Sequence, residues 1–296
     1  MEHVRWLDEA EGDDLGVTNP VVLAAFTGWN DAGDAASSAL RTLIESAQAR
    51  PVAEIDPEWF TDFATVRPHV RLDEAQRREI VWPTVGVWAA SLPGADVLLV
   101  LGPEPALRWR LFCDQITAIC EHAGASMAIT LGALLADVPH TRPTHIIGTA
   151  TDETLIDRYD LERSNYEGPT GIVGVLQHQL SVAGLQTASL WAAVPGYAAQ
   201  IASPKAAVAL VERACAMLGT PVPRTELTAG SDDYEAQVAG LIGDDDDLRT
   251  YVTRLEAMAD EIDDDQSSGS GGLDDTDPAA LTAEIERFLR ERGQSD

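Results

Sequence analysis

The sequence predicts a layered α/β fold built on a largely parallel central sheet. Several short runs, such as VVLAAFT at 21–27 and ADVLLVLG at 95–102, are apolar without alternating polar residues. Continuous apolar runs are typical of strands buried on both faces. Amphipathic stretches with helical spacing separate most of these runs, and strands that alternate with helices form parallel sheets.

The predicted elements follow the chain in order. The strands are expected at 21–27, 52–56, 69–73, 79–91, 95–102, 125–135, 144–151 and 187–194, with 79–91 forming a hairpin of two strands around Pro83. The helices are expected at 31–47, 104–122, 169–183 and 203–218. The last of these has clear ends, because Ser203 suits an N-cap, Pro204 a first turn and Gly219 a C-terminal stop.

The chain divides into five predicted segments. An acidic N-terminal segment (1–19) precedes the α/β core (20–225). Apolar residues at helical spacing on both sides of GDDDD predict a helical hairpin over 226–262. An acidic Gly/Ser-rich stretch at 263–278 has the composition of a disordered linker. Apolar residues on one face predict a last helix over 279–292.

Composition excludes several classes of function. The chain carries 20 basic and 49 acidic residues, a net charge of −29, which repels nucleic acid and anionic lipid. No apolar run reaches the roughly 18 residues of a membrane span, and the acidic N-terminus does not resemble a signal peptide. Cys113, Cys120 and Cys215 lack metal-site spacing and are expected to be buried reduced thiols in the cytoplasm. No metal site and no cofactor is expected.

The stretch FTGWNDAGDA, residues 26–35, has two glycines at the spacing of a phosphate-binding P-loop. That loop needs a following lysine and a hydroxyl, and Asp34 and Ala35 stand there instead. The carboxylates of Asp31 and Asp34 would repel a phosphate. The spacing is therefore a coincidence, and the stretch is a turn from a strand into a helix.

Two interpretations of this turn remain open. Asp31 is placed to cap the following helix, where acidic side chains also favour the positive end of the helix dipole. Alternatively, Trp29, Asn30, Asp31 and Asp34 line a pocket at the carboxyl edge of the sheet, where open α/β sheets bind ligands.

Polar and aromatic side chains also follow the other predicted strands. Glu104 and Arg108 are four apart in GPEPALRWRLF, which fits either a helical ion pair or a pocket. His140 and Arg142 lie between prolines in DVPHTRPTH. Because the ends of parallel strands gather at one edge, the candidate pocket or partner-binding residues are Trp29, Asn30, Asp31, Asp34, Glu104, Arg108, His140, Arg142, Tyr166 and Tyr197. No catalytic residue is assigned.

Six ordered blocks across 21–220 resemble one known family. They are GWNDAGDAAS, WP before a strand, GPEPALRWRLF, LGALLADVPHTRP, YEGPTGIVGVL and SLWAAVP followed by SPKA. Together they are similar to the bacterial, especially actinobacterial, branch of the proteasome assembly chaperone 2 family. The resemblance implies a three-layer α/β/α sandwich similar to nucleoside phosphorylases, with a C-terminal helical extension. It also implies homo-oligomers, such as trimers, and a chaperone-like or protein-binding role.

The chain departs from that family at two places. Some relatives dock through a C-terminal tripeptide with a central tyrosine, whereas this sequence ends in GQSD. Family members often carry Pro-His-Tyr where this chain has Pro195-Gly196-Tyr197. The first hypothesis is therefore a protein-binding homo-oligomer without an assigned reaction. The alternative is a nucleoside-like small-molecule binder, or a phosphorylase- or hydrolase-like enzyme, that uses the loops at the strand ends.

Overall fold

The computed structural model describes residues 1–7, 15–73, 75–223, 226–243 and 245–267. Ten strands lie within these ranges: β1 Val4–Trp6, β2 Val21–Thr27, β3 Arg50–Ile55, β4 His69–Leu72, β5 Arg78–Val81, β6 Val85–Ser91, β7 Asp96–Pro103, β8 Met127–Ala136, β9 Ile146–Ala150 and β10 Gln186–Pro195. The same ranges contain seven helices: α1 Ala35–Ser46, α2 Trp109–His122, α3 Glu153–Tyr159, α4 Ile172–Val182, α5 Pro204–Leu218, α6 Glu226–Ile242 and α7 Asp246–Ser267.

Eight strands form one central sheet in the order β1-β3-β6-β7-β2-β8-β10-β9. The four middle strands, β7, β2, β8 and β10, run parallel to one another. The strands at both margins are antiparallel to their neighbours. The buried apolar runs of the sequence correspond to the parallel centre, which helices cover on both faces.

Two hydrophobic cores lie on opposite faces of this sheet. Leu23 and Ala25 of β2 face a core shared with α1, α3 and α5. Val22 and Ala24 face the other core, which contains α2 and α4. Successive side chains of a strand point to opposite faces, so a fully apolar β2 is what two covered faces require. The predicted three-layer α/β/α fold is confirmed.

Helices α6 and α7 lie in the range predicted as a helical hairpin. A small third core joins Tyr234, Val238 and Ile242 of α6 to Val252 of α7 and to Ala198 after β10. Helix α7 continues to Ser267, so the first five residues assigned to the linker at 263–278 are helical. The rest of that linker and the helix expected at 279–292 lie outside the described residues.

Three local expectations differ from the structure. The segment 79–91 does form two strands, but they do not pair with each other. Strand β5 pairs with β4 in a separate two-stranded sheet, whereas β6 joins the central sheet between β3 and β7. The acidic N-terminal segment contributes β1, which pairs with β3. The short helix α3 has no counterpart among the predicted elements.

The three cysteines are buried and unpaired, as expected from their spacing. Burial raises the pKa of the Cys113 and Cys120 thiols to about 12 and that of Cys215 to about 11. Within the part of the chain that the structure describes, no helix is both long enough and apolar enough to cross a lipid bilayer.

Candidate functional site

A cavity of about 1020 Å³ opens at the carboxyl ends of the parallel strands. After β2 the chain forms β3, β6 and β7, all on one side of β2. It then crosses to β8 on the other side, so β2 and β8 flank the switch point of the sheet. Open α/β sheets bind ligands in the crevice at such a point. We refer to this cavity, between the turn after β2 and the loop 162–170, as the crevice.

The floor of the crevice is the turn that follows β2. Strand β2 pairs with β8 only from Val21 to Ala24. The chain then meets β8 again where Asp31 bridges to Ala133, whose amide donates to the Asn30 carbonyl at 2.8 Å. The strand-end turn is therefore fixed to β8 and forms part of the sheet edge.

Asp31 caps α1 from within this turn. Its Oδ1 accepts hydrogen bonds from the amides of Ala36, at 2.7 Å, and Ser37, at 3.1 Å. Asp34, directly before the helix, is in the left-handed region (φ 52°) and makes no side-chain cap. Asp31 is only 5% exposed, and this burial raises the pKa of its carboxyl despite the opposing hydrogen bonds from Ser37 and Ala36. Asp31 also lines the crevice, so the two interpretations of this residue are compatible.

Glu104 joins the turn after β7 to the turn after β2 and to helix α4. Its Oε1 accepts from Asn30 Nδ2 at 2.7 Å and from the Ile172 amide at 2.9 Å. The ion pair expected between Glu104 and Arg108 does not form, because α2 begins at Trp109 and Arg108 itself is left-handed (φ 55°). The prolines on both sides of Glu104 keep it in a turn rather than in a helix.

Gly171, next to the hydrogen bonds of Glu104, cannot be replaced by a residue with a side chain without a steric clash. A Cβ at Gly171 would lie 2.1 Å from Asn30 Oδ1, which no ordinary contact permits. The Asn30 side chain is fully buried, and the missing side chain of Gly171 provides the space that it fills. Loop 162–170 can approach the β2 turn for the same reason.

Arg108 lies outside the crevice. Its guanidinium lies over the ring of Trp59, 4.6 Å from the ring centroid, and His3 also packs against that ring. Trp29, in contrast, borders the crevice and is 54% exposed.

His140, Arg142 and Tyr197 form a different site, at the base of α6 and α7. The Tyr197 hydroxyl accepts from the His140 amide at 2.8 Å and is 2.9 Å from His140 Nδ1. Lys205 Nζ donates to the His140 carbonyl at 2.7 Å and pairs with Glu235 of α6. Burial lowers the pKa of His140, whose Nε2 has no hydrogen-bond partner among the described residues.

Arg142 binds α7 directly. Its Nη2 donates to Asp260 at 2.8 Å, and its Nη1 is 3.8 Å from Glu256. Tyr251 of α7 donates to Asp137 at 2.7 Å. We refer to this set of pairs between 137–142 and α7 as the α7 contact; it indicates that the HTR sequence anchors a helix and does not line the crevice.

The ten candidate residues therefore divide into groups. Those that line the crevice are Trp29, Asp31, Asp34, Glu104 and Tyr166. Asn30 supports its floor, Arg108 stacks outside it, and His140, Arg142 and Tyr197 lie near α6 and α7. Sequence reasoning missed the crevice residues Trp109, Glu162 and Trp191. Trp191 lies within a predicted strand, and its ring packs over Gly132, its partner residue in β8, a pairing that the pattern of either strand does not predict.

Within the described ranges, no group of three or more histidine, cysteine, aspartate or glutamate side chains is arranged to hold a metal ion. The crevice instead combines carboxylates with aromatic rings. This fold and site define a layered α/β protein with an acidic, aromatic crevice at the switch point of its sheet.

Comparison with known proteins identifies the family. The PAC2 family model matches residues 25–242, and the chain belongs to this family. A PAC2 family protein from Streptomyces avermitilis is 42% identical, with 79% of this chain and 99% of that chain covered and a TM-score of 0.73. None of the curated proteins compared with the chain matches it.

Two further solved structures connect the fold to proteins named for the proteasome. The Mycobacterium tuberculosis proteasome-assembly chaperone homologue Rv2125 is 41% identical, with a TM-score of 0.71 and coverage of 78% of this chain and 99% of that chain. PbaB, an archaeal proteasome activator from Pyrococcus furiosus, is 18% identical, with a TM-score of 0.63 and coverage of 82% and 99%. The second likeness concerns the fold alone.

Proposed function

We propose that this chain is a chaperone-like protein of the PAC2 family that binds other proteins and acts in the cytoplasm as a homo-oligomer, with a trimer as the specific expectation. The relative at 41% identity is described as a proteasome-assembly chaperone homologue, which supports a role in protein assembly. The three buried thiols suit a reducing compartment.

The observation that carries this proposal is an exposed apolar arm, which we define as β4, β5 and the following Trp82. All eight strand residues of the arm are exposed. Val70 is 58% exposed, and Leu72, Ile80 and Trp82 are each about half exposed. An isolated two-stranded sheet is only marginally stable in water, and exposed apolar patches mark interaction surfaces.

The apolar surface extends beyond the arm. The Trp82 ring packs edge-on against Phe63, with centroids 5.1 Å apart. Trp59 and Leu107 are also exposed, and their segments are joined where the Leu107 amide donates to the Phe60 carbonyl. Tryptophan is enriched among the residues that dominate binding at protein interfaces.

The difference in charge between the arm and the rest of the chain supports binding of the arm to a second copy of this chain. The segment 67–82 contains four arginines and three acidic residues in a chain whose net charge is −29. A weakly basic, apolar arm complements the acidic surface of another copy.

Sedimentation and native pull-down of arm variants test the proposal. Leu72→Glu and Ile80→Glu should dissociate the oligomer and reduce the recovery of specific partner proteins. Val182→Glu is the matched control, because Val182 is 70% exposed at the end of α4, away from the arm in sequence, and its substitution should change neither result. A wild-type chain that is monomeric and retains no specific protein would refute the proposal.

A second candidate function, small-molecule binding, is favoured by the crevice. Its volume and its position at the switch point suit a ligand. Phosphorolysis of a nucleoside is poorly supported, because Arg108, His140 and Arg142 do not line the crevice with Asp31. A thermal-shift screen with nucleosides, phosphate and divalent ions tests this candidate; a ligand at 100 times its Kd should add roughly 2.7 kcal/mol of stability.

A further inference from the structure

The crevice floor contains oxygen acceptors that lack donors. Asp31 Oδ2 and Asn30 Oδ1 are both buried, and neither accepts a hydrogen bond from the described residues. Buried polar atoms are almost always paired, so each unpaired atom at a site calls for a partner. Asp31 is more than nine-tenths buried and lines the crevice, so the missing donor to its Oδ2 can come from a ligand in the crevice.

The orientation of Asn30 is fixed by chemistry. The Glu104 carboxylate can only accept hydrogen bonds when it is ionised, so the Asn30 amide nitrogen must face it. The side-chain amide of Asn30 therefore cannot be flipped, and its Oδ1 points away from Glu104. Asp31, unlike Asn30, lines the crevice, so a ligand that satisfies its Oδ2 must donate a hydrogen bond.

The charge of the crevice lining indicates whether the ligand is a cation or an anion. The lining carries four carboxylates, those of Asp31, Asp34, Glu104 and Glu162, against the single guanidinium of Arg163. Arg163 is itself paired with Glu153. The first amide of α4, at Ile172, which would otherwise suit an anion, already donates to Glu104. Each of these features opposes an anion and favours a cation.

The walls of the crevice are aromatic. Trp29, Trp109, Tyr166 and Trp191 border it, and Trp29 is more than half exposed. Aromatic faces attract ammonium and guanidinium groups, and carboxylates combined with aromatic rings are a known arrangement for organic cations. The Trp109 Nε1 and Trp191 Nε1 atoms already donate to protein oxygens, so these rings offer their faces rather than free N–H donors.

We infer that the crevice binds an organic cation, an ammonium or guanidinium group carried on a short apolar chain. The cationic head donates to Asp31 and Glu104, and the apolar chain lies along the tryptophan rings. The head could belong to a free amine or to an arginine or lysine side chain of a protein. This inference does not depend on the proposed oligomer, which rests on the arm.

Calorimetric titration of the full chain tests the inference. Agmatine is the free-amine probe, acetyl-Gly-Arg-Gly-amide is the peptide probe, and N-butylurea is the neutral comparator. At least one cationic probe should bind saturably, and N-butylurea should bind about tenfold more weakly or not at all, because charge-assisted hydrogen bonds are the stronger ones. Tighter binding of the peptide assigns the site to a protein side chain, and tighter binding of agmatine assigns it to a free amine.

Four variants locate the binding. Asp31→Asn and Glu104→Gln keep the shapes of the side chains and remove their charges, so each should weaken cation binding about tenfold. Trp29→Ala should weaken it about threefold and is safe for folding because Trp29 is exposed. Glu121→Gln removes an exposed charge of α2 outside the crevice and should leave binding unchanged.

Several results would overturn the inference. They are no binding of either cation, equal binding of N-butylurea, tighter binding of inorganic phosphate, or cation binding that Glu104→Gln and Trp29→Ala leave intact. If Asp31→Asn unfolds the chain by weakening the cap of α1, the Glu104 and Trp29 variants decide the question. Circular dichroism of each variant establishes that it is folded.

Discussion

The crevice and the α7 contact use similar residue types in opposite ways. At the α7 contact, Arg142 pairs with Asp260 and Glu256 of α7, so a basic side chain meets acidic ones across the contact. In the crevice, carboxylates face backbone amides and aromatic rings with almost no basic partner. Ion pairs at the α7 contact hold two parts of one chain together, whereas the crevice carboxylates lie beside a cavity with few basic partners, which is where we propose that a cation binds.

The largest expected effect comes from closing the space behind the crevice floor. Gly171→Ala places a Cβ against Asn30 Oδ1 and should cost about 3 kcal/mol in the free energy of unfolding, because a packed site cannot absorb the added group. Urea unfolding followed by circular dichroism measures it. Gly240→Ala on the exposed face of α6 meets no atom and should instead stabilise the chain by about 0.5–1 kcal/mol. Equal effects at the two glycines would contradict the packing described for the floor.

Removal of one tyrosine hydroxyl should destabilise the region around His140 more than the crevice. Tyr197→Phe leaves the His140 amide and ring nitrogen without their shared partner and should cost about 1–3 kcal/mol. Tyr166→Phe, at the crevice, removes a hydroxyl that donates to the Pro169 carbonyl on a more exposed loop and should cost less. Thermal unfolding compares the two variants, and a larger loss for Tyr166→Phe would show that the crevice loop is the more tightly bound region.

Acidification should weaken the region around His140. In the folded chain, burial lowers the pKa of this imidazole below its ordinary value of 6.5. The unfolded chain therefore binds more protons just below that pH, and stability should fall as the pH decreases through about 6.5. Glu235 and Glu256 oppose this pKa shift, and Lys205 adds to it. His140→Gln should flatten the dependence between about pH 5 and 7; an unchanged slope would assign it to other groups.

The smallest effect is expected at the surface of the α7 contact. Arg142→Gln breaks the contacts with Asp260 and Glu256. All three side chains are partly exposed to solvent, so global stability should hardly change. Limited proteolysis should cleave α7 about twofold faster, and high salt should remove the difference between variant and wild type. Arg249→Gln, whose pair with Asp246 lies within α7, is the control. Faster cleavage in that control alone would contradict the anchoring role of Arg142.

The sequence predicts the parallel centre of the fold well. Strands β2, β7, β8 and β10 are buried on both faces, and only apolar runs meet that requirement. The ends of α5 follow from Ser203, Pro204 and Gly219, whose roles are local. The pairing of β5 with β4 could not be predicted, because it depends on which strands meet in space and not on the pattern of either strand.

The candidate site was harder to predict for a physical reason. Residues at the ends of parallel strands do share an edge, which correctly brings Asp31 and Glu104 together. The loop with His140 and Arg142 leaves the same edge but is covered by α6 and α7, and the sequence of the core contains no sign of that covering. Glu104 and Arg108 have helical spacing, yet both precede α2 and Arg108 is itself left-handed, so the two side chains are not on one helix.

The bridge between Asp31 and Ala133 has a consequence for how this site can change during evolution. It joins the crevice floor to the sheet, so substitutions there should disturb folding as well as the proposed cation binding. Loop 162–170 lies mostly at the surface and carries little of the core. Its length and side chains can therefore change without loss of the fold, so substitutions in this loop should alter the proposed cation binding with the least cost to folding.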